Sequence, residues 1–191
     1  MRQALELSID RDALNQVVFS GGSKRGINGC HRRTRITLRS CRSPNNPENL
    51  QAAQVIQAMA TESGFDIQIQ ATEFASSLQL SAKGDFEAFL VGWSGRSDPD
   101  GNIYNLLACS GQLNDGRYCD PEVDRELDAA RAVEARAQRI PHYRKVADLV
   151  LQDRPLIYLY HAKFRYAVTA KLSGFTPYPD GLIRPQGLRL E

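Results

Sequence analysis

Between residues 35 and 70 the hydrophobic pattern changes period twice, and this limits the fold more than any other feature of the chain. Arg35-Ile36-Thr37-Leu38-Arg39 alternates apolar with polar. Such a period of two marks a short strand. Pro44-Asn45-Asn46-Pro47 then makes a turn, with Asn46 placed to cap a helix and Pro47 at its first position. The helix runs to about Ser63, with Ala52, Val55, Ile56, Met59 and Ala60 on its inner side, and Gly64 ends it. Phe65-Asp66-Ile67-Gln68-Ile69-Gln70 alternates again, as a half-buried strand does. Strand, helix and strand in this order predict a βαβ unit with parallel strands and a right-handed crossover.

The remaining pattern extends that unit. Asp10 caps a helix carrying Leu14, Val17 and Val18, which Gly21-Gly22 stops. A second helix covers residues 74–82. Phe86 to Trp93 is nearly all apolar, as expected of a strand covered on both faces. Asp120-Pro121 opens a helix with Val123, Leu127 and Ala130. A longer one follows over about 137–152, with Ile140, Tyr143, Val146, Ala147 and Val150 turned inward, and Pro155 blocks its continuation. Leu156 to Tyr160 is expected as a further strand, and the Gly- and Pro-rich tail from Gly174 to Gly187 as irregular. The fold class is α/β, a mostly parallel sheet flanked by helices. In such sheets ligands occupy the crevice beyond the carboxyl ends of the strands. That directs attention to the loop after Trp93.

The formal net charge is +2, but residues 22–43 carry seven basic residues and no acid. The rest holds 17 basic residues against 22 acidic ones, a net of −5. That balance argues against nucleic acid as a partner over a broad surface. A narrower reading, in which Lys24 to Arg42 binds nucleic acid, remains a minor alternative beside a solvated loop. No apolar run is long enough to span a bilayer. Met1 is followed by Arg2-Gln3-Ala4-Leu5, with no apolar stretch of the kind a signal peptide needs.

Several motifs fall short of chemistry. Gly92-Trp93-Ser94-Gly95-Arg96 misses the nucleophile elbow, because Arg96 stands where its second glycine belongs. His31, His142 and His161 show no placement as a base for Ser94. Asp98-Pro99-Asp100-Gly101-Asn102 begins like a calcium loop, but its glycine comes early and Cys109 occupies the bidentate position. Asp98 reads better as the cap of a helix starting at Pro99. Cys30-His31 with Cys41 lacks a fourth zinc ligand. No enzyme activity, metal or cofactor is therefore expected. Trp93, the only tryptophan, is either a core aromatic at a strand end or a flat apolar wall for a ligand. Cys109 and Cys119 flank a turn-rich loop. They are either two free thiols or, in an exported protein, a disulfide contributing about 2–3 kcal/mol through loop closure.

Gly92-Trp93-Ser94-Gly95-Arg96-Ser97-Asp98-Pro99-Asp100-Gly101-Asn102 is followed by Asn114-Asp115-Gly116-Arg117-Tyr118 and Asp120-Pro121-Glu122-Val123-Asp124. Arg2-Gln3-Ala4-Leu5 precedes Ile9-Asp10-Arg11-Asp12-Ala13-Leu14, and Asp153-Arg154-Pro155 leads into Leu156 to His161. Ser173-Gly174-Phe175 and Pro179-Asp180-Gly181-Leu182 close the series. Together these resemble the family 5 extracellular solute-binding proteins, the peptide, nickel and glutathione receptors of ABC importers. The resemblance implies one lobe of a type II periplasmic binding fold, with a peptide-like solute held between lobes and released to an ABC permease. It implies an extracytoplasmic parent, with residues 1–191 as its carboxy-terminal lobe and without the amino-terminal one. It implies a ligand site at Trp93, Ser94, Gly95, Arg96 and Asp98, and favours the Cys109–Cys119 disulfide. Dipeptide-binding relatives place an Asp for the ligand amine where this chain has Arg96. That departure points to an anionic group on the solute, as in glutathione-like or acidic peptides. Residues 22–43 are shorter and more basic than the family pattern. An absent helix there would uncover part of the sheet and favour association of two copies. The competing readings are a remnant or interaction module without a transport role, and the nucleic-acid binder above.

Overall fold

The computed structural model describes residues 1–19, 34–42, 48–161, 165–178 and 181–191. Helices α1 (Arg2–Leu7) and α2 (Arg11–Phe19) precede strand β1 (Thr34–Arg42), helix α3 (Glu48–Glu62) and strand β2 (Phe65–Glu73). Helix α4 (Phe74–Lys83) leads to strand β3 (Ala88–Leu90). Then come helices α5 (Pro99–Leu107), α6 (Pro121–Arg131) and α7 (Arg136–Asp153). A short ribbon of β4 (Leu172–Ser173) and β5 (Arg189–Leu190) closes the chain.

The βαβ expectation holds. β1 pairs with β2 in parallel, from Thr34 opposite Phe65 to Arg42 opposite Glu73. β3 pairs in parallel with the other edge of β1, giving the order β2-β1-β3. All three strands thus end on one side of the sheet. Small residues on α3, namely Ala52, Ala53 and Ala60, are fully buried and let that helix lie close to the strands. They share a cluster with Leu14, Ile36, Leu38, Ile56, Phe65, Ile67 and Leu90. A second cluster is helical. Val123 and Leu127 of α6 and Val146 and Val150 of α7 pack with Leu107 and Tyr118. Burying one such aliphatic side chain stabilises by about 1.5–3 kcal/mol.

Local chemistry sets the helix ends. The Asp10 carboxylate accepts from Asp12 N and Ala13 N. Asp98 and Asp120 cap α5 and α6 in the same way, each followed by a proline at the first helical position. α7 ends at Arg154, which takes a left-handed backbone before Pro155. The expected caps at Asn46 and Pro47 and the stop at Gly21-Gly22 lie outside the described residues.

Four expectations need correction. The run Phe86 to Trp93 forms a strand only over Ala88–Leu90. Val91 and Trp93 lie in the loop beyond the end of β3 and are 51% and 45% exposed rather than covered on both faces. Leu156 to Tyr160 makes no ladder. Its side chains still pack, with Ile157, Leu159 and Tyr160 against the sheet cluster and Leu156 against the helical one. On α2, Val17 is exposed. On α7, Ile140 and Ala147 face outward, because α6 covers only the stripe through Val146 and Val150.

Candidate functional site

The loop from Val91 to Asp98 leaves β3 at the carboxyl side of the sheet, where parallel strands leave room for a ligand. Its conformation is set by one side chain. The Oδ1 of Asn102, in the first turn of α5, accepts from Trp93 Nε1 at 3.0 Å and from Arg96 N at 2.6 Å. Its Nδ2 donates to Arg96 O at 2.8 Å and Asp98 O at 2.9 Å. Gly95 sits at φ +69°, a left-handed conformation that glycine adopts without the steric penalty of a side chain.

Trp93, Ser94, Gly95 and Arg96 therefore share one surface turn. The Arg96 guanidinium lies 4.7 Å from the centre of the Trp93 ring, within cation–π range. One Nη of Arg96 donates to Ser94 Oγ at 2.9 Å and to Gly95 O at 2.7 Å. An arginine carries five N–H donors. The Nε and the other Nη of Arg96 have no partner among the described residues. Arg96 does not pair with Asp98 or Asp100. Those two carboxylates are each gripped by another arginine.

Asp98 stands at the base of the turn. One of its oxygens caps α5 through Asp100 N at 2.8 Å. The Arg139 fork takes both, at 2.8 and 2.7 Å. That guanidinium, with the Asp100 amide, holds the Asp98 carboxyl down to about 2. Arg131 makes the same kind of fork to Asp100, at 2.6 and 2.8 Å, and stacks on Tyr104. The turn is thus tied to α7 and to α6. Asp98 serves as its foundation rather than as a free acceptor.

Cys109 and Cys119 are joined by a disulfide across a separation of 10 residues. Inside that loop Asn114 donates to Ala108 O and Tyr118 O and accepts from Tyr118 N. Cys109 N donates to the Asp124 carboxylate of α6. Among the described residues no cluster of His, Cys, Asp and Glu could hold a metal ion. Cys30, His31 and the Cys41 side chain lie outside them, as does most of the basic run. No described helix is long and apolar enough to cross a membrane.

Sequence reasoning missed Asn102. A polar residue one turn into a helix is an ordinary occurrence, and nothing in its spacing reveals four bonds to the preceding loop. The two arginine forks were equally hidden, since their partners lie 31 and 41 residues apart.

The chain is similar to known proteins in sequence and in fold. Residues 26–114 match the family described as bacterial extracellular solute-binding proteins, family 5 Middle. Di/tripeptide-binding protein 4 of Pseudomonas aeruginosa is 32% identical over an aligned length of 136 residues, covering 68% of this chain and 25% of that protein. The glutathione-binding protein GsiB of Pectobacterium atrosepticum is 26% identical over 219 residues, covering 95% of this chain and 43% of its own. The chain spans less than half the length of these relatives. Among solved structures, the oligopeptide-binding protein AppA of Bacillus subtilis, in complex with a nonapeptide, superposes with a TM-score of 0.78. It is 19% identical, and the match covers all of this chain and 47% of that one. A dipeptide-binding protein from a Pseudoalteromonas species, in complex with Met-Leu, also gives 0.78 at 20% identity, over 100% of this chain and 45% of that one. These likenesses establish the α/β fold of type II periplasmic binding proteins. Over its matched residues the chain belongs to the bacterial extracellular solute-binding proteins of family 5.

Proposed function

We propose that the chain is a carboxy-terminal lobe that holds a peptide-like solute at the Trp93–Arg96 turn, as the receptor component of an ABC importer outside the cytoplasm. The observation that carries this is the turn itself. It is exposed at the carboxyl end of a parallel sheet, fixed from beneath by Asn102, and it presents an aromatic ring with a guanidinium across it. Ser94 Oγ accepts from Arg96, and among the described residues no base is bonded to it. The relatives named above are binding proteins.

The solute carries a carboxylate or a comparable anion for Arg96. Three of its donors have no partner among the described residues, and a planar fork matches a carboxylate in two-point geometry. Asp98 supports the site by fixing the turn to α5 and α7. In a two-lobe receptor an opposing lobe would close over the solute from the other side.

Trp93 reports on the site directly, as the only tryptophan. Its emission should change when glutathione or an acidic dipeptide is titrated into the protein, and less with a neutral dipeptide. Arg96→Ala should remove the preference for acidic ligands. A response that is indifferent to ligand charge, or unchanged in Arg96→Ala, would refute the anion reading. No response to any peptide, in the chain or in a version carrying an added amino-terminal lobe, would refute the site.

A further inference from the structure

The outward face of α7 carries a second feature that the solute site does not use. Arg136, Arg139, Ile140, Tyr143 and Arg144 line a groove of about 600 Å³ together with Ser97, Asp98 and Pro99. Ala147 lines this groove and also a smaller apolar one of about 230 Å³. Ile103, Leu107, Val150, Leu151 and Tyr158 build the second. Leu151 and Tyr158 are 56% and 54% exposed. The two meet along one helix face, since residues at spacings of three, four and seven share a side. From Arg136 to Leu151 that face runs about 22 Å at about 1.5 Å per residue.

Its charge is one-sided. Among the described residues Asp98 is the only acid in the lining, and the Arg139 fork already neutralises it. Arg136 and Arg144 have no ion-pair or hydrogen-bond partner among the described residues. Their placement also works against the helix. α7 begins with Arg136 and carries no acid in its first turn and no side-chain cap. The positive end of a helix dipole favours anions there and disfavours cations. Arg139 is accounted for by Asp98. Arg136 has no such partner among the described residues. Residues that break a local rule without a compensating partner concentrate at functional positions.

We propose that this furrow docks a linear segment of another protein, acidic at one end and aliphatic at the other. Carboxylates would sit between Arg136 and Arg144 at the amino-terminal end of α7. Leucine- or isoleucine-type side chains would fill the apolar half beside Leu151 and Tyr158. Nucleic acid fits poorly. A duplex presents a phosphate about every 1.7 Å and is met by many basic contacts, whereas two unpaired guanidinia over an apolar floor offer few. The furrow touches the solute site only at the base of the turn. Trp93 and Arg96 are not part of it, so the proposal does not depend on the solute reading.

Fluorescence anisotropy on the 191-residue chain tests this with three labelled peptides. They are acetyl-Glu-Glu-Glu-Ala-Leu-Leu-Leu, its Lys-Lys-Lys counterpart, and an acidic peptide with glycines in place of the leucines. The first should bind at least tenfold more tightly than the other two. Arg136→Gln with Arg144→Gln should weaken it at least tenfold and flatten its salt dependence. Leu151→Ser should weaken it with the salt dependence intact. Lys83→Gln with Arg189→Gln, the same charge change elsewhere, should leave it unchanged. The two arginines and Leu151 are exposed, and circular dichroism will confirm folding of each variant. Equal affinity for the three peptides, or insensitivity to the Arg136 and Arg144 changes, overturns the proposal. So does tighter binding of oligothymidylate than of the acidic–aliphatic peptide.

Discussion

Replacing Asn102 by alanine probes the solute site without touching the residues assigned to the ligand. The change deletes two acceptor contacts, to Trp93 Nε1 and Arg96 N, and two donor contacts, to Arg96 O and Asp98 O. These bonds face solvent, so each falls at the low end of the usual range, about 0.5 kcal/mol. Four of them come to about 2 kcal/mol. A chain of this size loses about 2–4 °C of melting temperature per kcal/mol, which gives a fall of about 4–8 °C. Urea denaturation measures the energy, and Trp93 measures the local effect. Freed from its acceptor, the indole should emit at longer wavelength and be quenched more readily by acrylamide. Asn102→Asp separates the two halves of the interaction. It keeps an acceptor for Trp93 and Arg96 but loses both donors, so its emission should stay near that of the native chain while roughly half the stability loss remains. Native-like quenching and stability in Asn102→Ala would refute the claim that this side chain shapes the turn.

Two further outcomes follow from the helical half. With Cys30 and Cys41 changed to serine to leave one cysteine pair, reduction or Cys109→Ala with Cys119→Ala should destabilise by about 2.7 kcal/mol. That is the loop-closure value for a 10-residue separation; calorimetry should show a melting shift of about 5–11 °C, and a shift under about 1 °C would contradict the mechanism. Between α6 and α7, Glu126 accepts from His142 at 2.7 Å and pairs with Lys145 at 3.2 Å. The His142 contact, then that of Lys145, holds its carboxyl below the usual value of 4.5. A depressed acid stabilises the fold above its unfolded value, and that contribution disappears as pH falls through the lower folded value. Glu126→Gln should therefore flatten the acid limb of stability below about pH 4.5. An unchanged acid limb in chemical denaturation would show that the pair contributes nothing.

Features with a short sequence range were legible from residues alone. The parallel pairing of β1 and β2 follows from two alternating runs around one helical period, and the caps at Asp10, Asp98 and Asp120 follow from residue type and the adjoining helix pattern. Features that depend on what lies alongside were not. An apolar run cannot announce where its strand will stop, so Val91, expected inside, lies exposed in the loop beyond β3, and Trp93, open to either reading, is exposed as well. Leu156 to Tyr160 has strand composition, yet strand formation needs a partner, and this segment is used for packing instead. Ile140 and Ala147 obey the helical period, but the period does not say how wide a stripe the neighbouring helix covers. At the proposed solute site the turn residues were visible as a motif, while the bonds that hold them come from Asn102, Arg131 and Arg139.

The Trp93–Arg96 turn lies where the chain leaves the sheet cluster and enters the helical one, and the segment from Arg154 to Ile157 makes the return. Two such crossings divide the molecule into neighbouring blocks that can open separately, and hydrogen exchange should resolve them as distinct protection classes. A solute gripping the first crossing would staple the blocks together, so occupancy would be felt as slower exchange in α6 and α7, which the arginine forks tie to the turn.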